Sequence, residues 1–168
     1  MFRVGDSLKV ACLVLAIGGL TACSSTPERE APTVSTSQPS ASTIKPGSPD
    51  DFRVNVGDTV FFDVDQHSVR SDAQSVLQKQ AAWLQKYPTV KLMVEGHCDE
   101  RGTREYNLAL GDRRAYAVKE YLVSLGVDAA RLQSKSYGKE RPVCAESDDS
   151  CWQQNRRGYS VIAGGAGS

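Results

Sequence analysis

An apolar run that ends at Cys23 limits the part of this chain that can fold. Arg3 and Lys9 form a short cationic segment, and the eleven uncharged residues 10–20 that follow it are mostly apolar. A helix that crosses a lipid bilayer needs about 20 apolar residues. The run is therefore too short for a transmembrane helix, and its cationic start and length are typical of a secretory signal. The folded part of the protein is expected to begin after it.

The residues before Cys23 indicate lipid attachment. Leu20-Thr21-Ala22-Cys23 resembles the bacterial lipobox, in which cleavage falls just before a cysteine that then carries acyl chains. This resemblance predicts a lipoprotein signal peptide over residues 1–22 and lipidation of Cys23. The alternative is an ordinary signal peptide in which the position of the cysteine is chance. By resemblance to lipoprotein sorting rules, the absence of Asp after the lipidated cysteine favours the outer membrane, with the domain facing the periplasm.

The segment after Cys23 has the composition of a linker. Residues 24–51 contain five of the seven prolines, many Ser and Thr, and almost no large apolar residues. Such a segment cannot bury enough apolar surface to offset the entropy that it would lose on ordering. We therefore expect the lipidated N-terminus and a flexible linker over residues 23–51, and one compact domain over residues 52–168.

The overall charge restricts the possible partners. The chain carries 20 basic and 20 acidic residues. Nucleic-acid binding needs a net basic surface that meets the phosphates, so nucleic acid is not expected as a partner. Attachment to a membrane is better attributed to lipid on Cys23 than to protein charge, because two or more acyl chains anchor a protein stably.

Hydrophobic periodicity predicts the order β-α-β-α-β-β within the domain. This order indicates an α/β (α+β) domain of two layers, with the helices packed on one mixed sheet. Strands are expected at residues 59–64, 91–95, 132–137 and 158–163, and helices from Ser71 to just before Pro88 and from about Arg104 to Leu125.

Both predicted helices carry end signals. Ser71-x-x-Gln74 has the form of a capping box at the start of the first helix. Pro88 closes this helix because the residue before a proline avoids helical geometry. Thr103 is the expected N-cap of the second helix, and Gly126 is a typical helix-ending residue.

Three of the five cysteines remain once Cys12 is cleaved off and Cys23 is acylated. Export permits disulfides, and Cys144 and Cys151 flank a short polar stretch that suits a loop. We expect these two to form a structural disulfide, which would stabilise the fold by roughly 2–3 kcal/mol. Cys98 is then left as a small buried residue or, alternatively, as an exposed thiol.

One stripe of the second helix changes character along its length. Its C-terminal half is apolar, as a core-facing helix requires, whereas its N-terminal half is polar or lacks a side chain. Asn107 and Arg114 are unfavourable on such a stripe unless they have partners or line a wet cleft. Gly111 between them would let a ligand approach the backbone closely. The stripe comprises Asn107, Gly111, Arg114, Val118, Leu122 and Leu125.

The loop before this helix, residues 96–103, adds an acidic group. Asp99 can attract an ammonium group, and Arg114 can hold a carboxylate through two parallel hydrogen bonds. Together the two side chains suit a zwitterionic amino-acid head group. The alternative is that Asp99 and Arg114 pair with each other as a structural ion pair, and their spacing alone does not separate the two possibilities.

The motifs in this region closely resemble those of the OmpA-like peptidoglycan-binding family. The similarity extends from about Val60 to Ile162, and the Asp-Glu-Arg-Gly-Thr form points to lipid-anchored members of that family. The motifs that carry it are Val94-Glu95-Gly96-His97-Cys98-Asp99-Glu100-Arg101-Gly102-Thr103, Glu105-Tyr106-Asn107, Leu110-Gly111-Asp112-Arg113-Arg114-Ala115, Ser136-Tyr137-Gly138-Lys139-Glu140 and Asn155-Arg156-Arg157.

This resemblance implies a specific ligand. In the family, the loop Asp and the helix Arg hold the amino and carboxylate groups of meso-diaminopimelate in the peptidoglycan stem peptide. On this chain those positions are Asp99 and Arg114. The other positions that match residues at the same pocket are Asn107 and Leu110 on the helix, and Val64 and Asp65 after the first strand.

The resemblance also implies a function without catalysis: tethering of the outer membrane to peptidoglycan, with TolB and TolA as protein partners in envelope integrity and cell division. One alternative is a related lipoprotein that binds peptidoglycan without Tol partners. Another is a peptidoglycan hydrolase that uses His97, Asp99 and Glu100. The sequence contains no HExxH spacing and no cysteine–histidine ligand set, so neither a metal nor a cofactor is expected.

Overall fold

The computed structural model describes residues 44–166. The predicted signal peptide, the predicted lipidation site Cys23 and most of the predicted linker therefore lie outside the described residues. Between residues 44 and 166, no helix combines the length and the apolar character needed to cross a membrane. This part of the chain forms a two-layer α+β fold, as predicted, in which helices pack on a mixed four-stranded sheet.

The two long helices enclose the core against the sheet. Helix α2 spans Ser71–Lys86 and α3 spans Arg104–Ser124. The Thr103 hydroxyl accepts a hydrogen bond from the Tyr106 N–H at 3.2 Å, so Thr103 caps α3 as predicted. The core between the helices and the sheet includes Phe62, Leu77, Leu84, Leu92, Val94, Val118 and Leu122.

The sheet has the strand order β1-β4-β2-β3. Strand β2 pairs in parallel with β3 and antiparallel with β4, and β1 pairs antiparallel with β4. The parallel pair requires a crossover connection, which α3 supplies. The strands are β1 at Thr59–Phe61, β2 at Lys91–His97, β3 at Leu132–Gly138 and β4 at Arg157–Gly164.

The N-cap of α2 and the end of β1 differ most from the prediction, while the ends of the other three strands lie within two residues of it. The N-cap of α2 is Arg70 rather than Ser71; its guanidinium has no acceptor for the first N–H groups of the helix and donates to Asp63 and Asp72. Strand β1 ends at Phe61, three residues earlier than predicted. The chain leaves the sheet there to form a turn whose carbonyl oxygens accept hydrogen bonds from Arg114 and Arg156.

The end of the predicted linker is already folded. Helix α1 spans Pro49–Asp51 and continues into a π-helical turn, Phe52–Val56. The Asp51 carboxylate accepts hydrogen bonds from the Gly47 N–H at 2.8 Å and from the Trp83 indole at 2.9 Å. The local bond to Gly47 and the contact with Trp83 of α2 order the residues just before Phe52, where the sequence composition alone predicted a flexible segment.

The Cys144–Cys151 disulfide is present, as predicted, with its Cα atoms 5.0 Å apart. The second cysteine belongs to helix α4, Asp149–Asn155, which the sequence analysis missed. Asp148 caps this helix by accepting the Cys151 N–H at 2.9 Å. Cys98 is a buried free thiol, 3% exposed, which confirms the prediction of a small buried residue.

Helix α3 and strand β2 meet backbone to backbone at two glycines. A Cβ atom built on Gly96 would overlap the carbonyl oxygen of Gly111, and one built on Gly111 would overlap the Ser136 hydroxyl. Gly111 therefore serves close helix–sheet packing. The predicted use of Gly111, close approach by a ligand, is wrong because the sheet already fills that space.

Candidate functional site

A cavity of about 330 Å³ opens where the turn after β1, the loop after β2 and the start of α3 meet. Its wall contains every ligand-binding residue expected from the sequence: Val64, Asp65, Asp99, Asn107, Leu110 and Arg114. The structure adds Cys98, Arg101, Gly102, Tyr106 and Arg156. The wall thus holds three arginines and two aspartates, so it carries one more positive than negative charge.

Asp99 is nearly buried, 7% exposed, and is held by two arginines. Arg101 Nη2 donates to its carboxylate at 2.7 Å and Arg156 Nη1 donates at 3.1 Å. Burial raises the pKa of the Asp99 carboxyl, but the hydrogen bonds from Arg101 and Arg156 outweigh this effect, so its pKa lies below the ordinary 3.8. Asp99 is therefore ionised at neutral pH.

Arg114 is fully buried and organises the backbone around the cavity. Its three nitrogens donate to the carbonyl oxygens of Gln66 at 2.8 Å, His97 at 2.9 Å and Asp63 at 3.0 Å. Among the described residues, no hydrogen bond or ion pair joins Arg114 to Asp99. The alternative of a direct structural pair between Arg114 and Asp99 is therefore wrong. Three of the five N–H groups of the guanidinium make these bonds, and the guanidinium also interacts with the Cys98 thiol.

Asn107 and Leu110 are both buried beside the cavity. The Asn107 side-chain amide donates to the carbonyl oxygens of Arg101 at 2.7 Å and Thr103 at 3.0 Å, which fixes the loop that carries Asp99. The Cys98 thiol donates to the Asn107 carbonyl at 3.3 Å. Burial raises the pKa of the Cys98 thiol, so it remains protonated at neutral pH.

The turn after β1 forms the other rim of the cavity. Val64 is 55% exposed, and Asp65 has φ 57°, the left-handed conformation that Asp tolerates better than most side chains. Its carboxylate accepts a hydrogen bond from the Tyr106 hydroxyl on α3. Two arginines stabilise the same turn: Arg114 donates to the Asp63 carbonyl oxygen, and Arg156 donates to the Phe62 carbonyl oxygen.

Sequence reasoning missed Arg101, Tyr106 and Arg156 as parts of the site. Arg101 and Tyr106 stand inside the quoted motifs, so only their roles were missed. Arg156 lies 57 residues from Asp99 in the chain. The one available signal for it was its place in the Asn155-Arg156-Arg157 motif, which does not indicate a partner.

The hydrolase alternative required His97 and Glu100 beside Asp99. Neither lines the cavity. Glu100 accepts a hydrogen bond from the Trp152 indole at 3.0 Å. His97 is 2% exposed and stacks on Tyr137 with ring centroids 5.5 Å apart. Neither side chain is therefore placed to act with Asp99 on a bound substrate.

His97 makes stability depend on pH. Burial, and secondarily the charges of Arg157 and Arg141, lower its pKa to about 4 from the ordinary 6.5. As the pH falls, His97 is therefore protonated at a lower pH in the folded protein than in the unfolded chain. We expect acidification from pH 7 to 4 to remove about 3 kcal/mol of stability through this group. Urea unfolding at several pH values measures the effect.

A His97→Phe variant isolates this contribution. Between residues 44 and 166, neither ring nitrogen of His97 has a hydrogen-bond partner, so phenylalanine retains the stack on Tyr137 and loses only the 3.5 Å contact of Nε2 with the Glu95 carboxylate. Its stability should fall less on acidification than that of the wild type. His67→Gln, at an exposed histidine, is the matched control and should retain the wild-type slope. An equal slope in His97→Phe would contradict the assignment.

Comparison with curated proteins identifies close relatives. The chain is 59% identical over 128 residues to the peptidoglycan-associated lipoprotein of Rhizobium meliloti, covering 76% of this chain and 72% of that protein. It is 50% identical over 99 residues to the protein of the same name from Pseudomonas aeruginosa, covering 59% of this chain and 58% of that one. Neither name is that of an enzyme.

Solved structures and a family profile agree with this similarity. The crystal structure of the peptidoglycan-associated lipoprotein from Burkholderia pseudomallei matches with a TM-score of 0.61 and 45% identity, covering 62% of this chain and 89% of that one. The C-terminal domain of Helicobacter pylori MotB shares the fold, with a TM-score of 0.60, 24% identity, and coverage of 64% of this chain and 84% of that one. Residues 61–156 match the OmpA family. As the resemblance of the sequence motifs indicated, the chain belongs to the OmpA family.

Proposed function

We propose that this chain is an outer-membrane lipoprotein whose periplasmic domain binds peptidoglycan non-covalently, through the diaminopimelate of the stem peptide. The observation that carries the proposal is that Asp99 and Arg114 lie in the wall of one cavity without pairing with each other. An anion and a cation in one cavity suit a ligand group that carries both an ammonium and a carboxylate. Such a site binds rather than reacts.

We propose a different role for each charged group. Asp99 is ionised and accepts the ligand ammonium. Arg114 supplies positive charge at the floor of the cavity and attracts the ligand carboxylate, while its bonds to three carbonyl oxygens keep the surrounding backbone in place. The volume of about 330 Å³ lies at the lower end of the range for small-molecule sites, which fits an amino-acid head group.

The expected affinity of one domain is modest. Hydrogen bonds to charged groups contribute roughly 1.5–3 kcal/mol each, and association itself costs several kcal/mol. Attachment through acylated Cys23 would hold the domain beside a polymer with many repeated binding sites. The high local concentration then compensates for weak individual contacts. The result is a reversible tether between the outer membrane and the cell wall.

Asp99→Asn tests the site. The substitution removes the charge but retains the shape, and we expect at least roughly tenfold weaker binding to a diaminopimelate-containing stem peptide, because a charged hydrogen bond is lost. Calorimetry with the purified peptide and sedimentation with purified cell wall measure the loss.

Asp112→Asn is the matched control for Asp99→Asn. Asp112 is an exposed aspartate of α3 outside the cavity, so its variant should bind like the wild type. Circular dichroism confirms that both variants are folded. Wild-type affinity in a folded Asp99→Asn protein would exclude the proposed site.

We also propose TolB and TolA as protein partners, on the basis of the family resemblance of the sequence motifs. The 59% identity to a peptidoglycan-associated lipoprotein supports this function as a whole. A pull-down of purified TolB with the wild-type protein tests the Tol proposal. Binding to cell wall without binding to TolB would favour the alternative, a lipoprotein of the same family that tethers the wall without Tol partners.

A further inference from the structure

Arg101 already occupies the position at which the ligand ammonium is proposed to bind. Its backbone N–H and its Nε donate to Oδ1 of Asp99 at 3.2 and 3.3 Å, and its Nη2 donates to Oδ2 at 2.7 Å. Arg156 donates to the same Oδ2 at 3.1 Å. Both carboxylate oxygens of Asp99 are therefore engaged by cations of the chain itself before any ligand arrives.

The two arginines are held very differently. The Arg156 side chain is 8% exposed, and it also donates to the Phe62 carbonyl oxygen and to Gln153 at 2.7 Å. It belongs to the framework of the site. The Arg101 side chain is 41% exposed and reaches Asp99 from the solvent side. Arg101 is thus the cation that can leave Asp99 without breaking the fold.

Trp152 keeps Arg101 beside the cavity. The Arg101 guanidinium lies 4.2 Å from the centroid of the Trp152 ring, a cation–π contact. The Trp152 indole is in turn fixed by its hydrogen bond to Glu100, and its chain neighbour Cys151 is tied by the disulfide to Cys144. A guanidinium that leaves Asp99 can therefore remain on the tryptophan at the mouth of the cavity.

We propose that Arg101 is an internal competitor for Asp99 and thereby determines which ligands the site accepts; this inference rests on the proposed function above. A ligand ammonium reaches Asp99 only by displacing the Arg101 guanidinium. The ion pair between the ligand and Asp99 then replaces the one between Arg101 and Asp99. A ligand with an ammonium alone gains little from the exchange. A ligand with a carboxylate beside its ammonium gives the displaced guanidinium a new partner, so the number of ion pairs increases.

The site therefore selects a zwitterionic head group over a simple amine. Two stem tripeptides test this selection, one that ends in meso-diaminopimelate and one that carries lysine at the same position and lacks the second carboxylate. In Arg101→Gln, we expect roughly fivefold tighter binding of the lysine peptide, because its ammonium no longer competes with a guanidinium. The diaminopimelate peptide should change less, because it loses both a competitor and a partner. The dissociation constant of the lysine peptide divided by that of the diaminopimelate peptide should therefore fall.

Arg104→Gln is the matched control. This arginine is 73% exposed, lies three residues away, pairs with Glu140 and does not line the cavity. The variant should retain the wild-type ratio. If Arg101→Gln binds the lysine peptide no more tightly than the wild type does, the competitor role is excluded. Wild-type binding of both peptides by Asp99→Asn would instead exclude the proposed site, so the two failures are distinguishable.

Nuclear magnetic resonance adds a readout that a purely structural Arg101 would not change. The indole N–H signal of Trp152 should shift when the diaminopimelate peptide separates the guanidinium from Asp99 and thereby changes its position over the Trp152 ring, while that of the buried Trp83 serves as an internal reference. Arg101→Gln should abolish most of this shift. A Trp152 signal that does not respond to the peptide in the wild type would overturn the displacement step.

Discussion

Gly96→Ala is expected to lower the free energy of unfolding by about 3 kcal/mol or more, and to leave little folded protein at 37 °C. The added methyl group would overlap the Gly111 carbonyl oxygen, which belongs to the backbone of α3 and has no side-chain rotamer to adjust. Strand β2 and helix α3 would have to separate. Because the loop with Asp99 follows β2 directly, peptidoglycan binding should be lost together with the fold. Thermal unfolding followed by circular dichroism measures the effect.

Gly164→Ala provides the control for this prediction. Gly164 ends strand β4, and a Cβ atom built on it has no other heavy atom within 4 Å. The same chemical change at this strand position should therefore alter stability by no more than about 0.5 kcal/mol. If Gly96→Ala were as stable as Gly164→Ala, the close contact between β2 and α3 would not exist in solution.

Arg114→Met should be the second most damaging substitution, with a loss of about 3 kcal/mol or more. Methionine fills the space of the aliphatic stem but removes the guanidinium donor from the carbonyl oxygens of Gln66 and His97 and leaves that of Asp63 with the Gln66 N–H alone, and an unsatisfied buried carbonyl costs about 1–3 kcal/mol. Release of the buried charge offsets part of this loss. The turn that carries Val64 and Asp65 should become mobile, which amide hydrogen exchange detects.

The neighbouring arginine supplies the control for this substitution. Arg113 lies on the exposed face of the same helix, so Arg113→Met should change the stability by no more than about 0.5 kcal/mol. Arg114→Lys should recover only part of the loss, because an ammonium retains the charge but cannot match the planar geometry of the three bonds. Full stability of Arg114→Met would show that its hydrogen bonds do not hold the turn.

The Arg114 result affects how binding data are interpreted. Since Arg114 both shapes the cavity and supplies its charge, a loss of peptidoglycan binding in Arg114→Met does not separate contact with the ligand from collapse of the turn. Asp99 does not have this difficulty to the same degree, because its own hydrogen bonds are to Arg101 and Arg156 and not to the backbone of the turn. Asp99→Asn is therefore the more informative test of the proposed function.

Local signals predicted several element ends correctly. Thr103 caps α3 through a residue three positions away, and Gly126 follows the end of that helix with φ 90°. Both effects act within one helical turn, so they can be inferred from neighbouring residues. The capping box predicted at Ser71 is wrong because the helix already includes Ser71, and the N-cap residue is Arg70, whose guanidinium has no acceptor and donates instead to Asp63 and Asp72.

The residues of the candidate site were predictable as a group, but their pairing was not. The spacing of Asp99 and Arg114 brought both to one cavity, as the sequence indicated. The sequence suggested that the Arg114 guanidinium donates two parallel hydrogen bonds to a carboxylate. In the structure, three of its nitrogens donate to backbone carbonyl oxygens instead. Backbone oxygens are present at every residue, so their competition for a guanidinium leaves no mark in the sequence.

The amino-acid sequence by itself determined the predicted export and lipidation signal, the order of the four strands and the two long helices, and the motif that assigns the chain to its family, because each depends on residues a few positions apart. The tertiary structure alone decided that Arg101 and Arg156 share Asp99, that Gly111 packs on Gly96, and that Asp51 folds back onto Trp83. Except for Arg101 and Asp99, which are neighbours in one loop, these contacts join segments that are distant in the chain, and their partners are settled by how the sheet and helices pack.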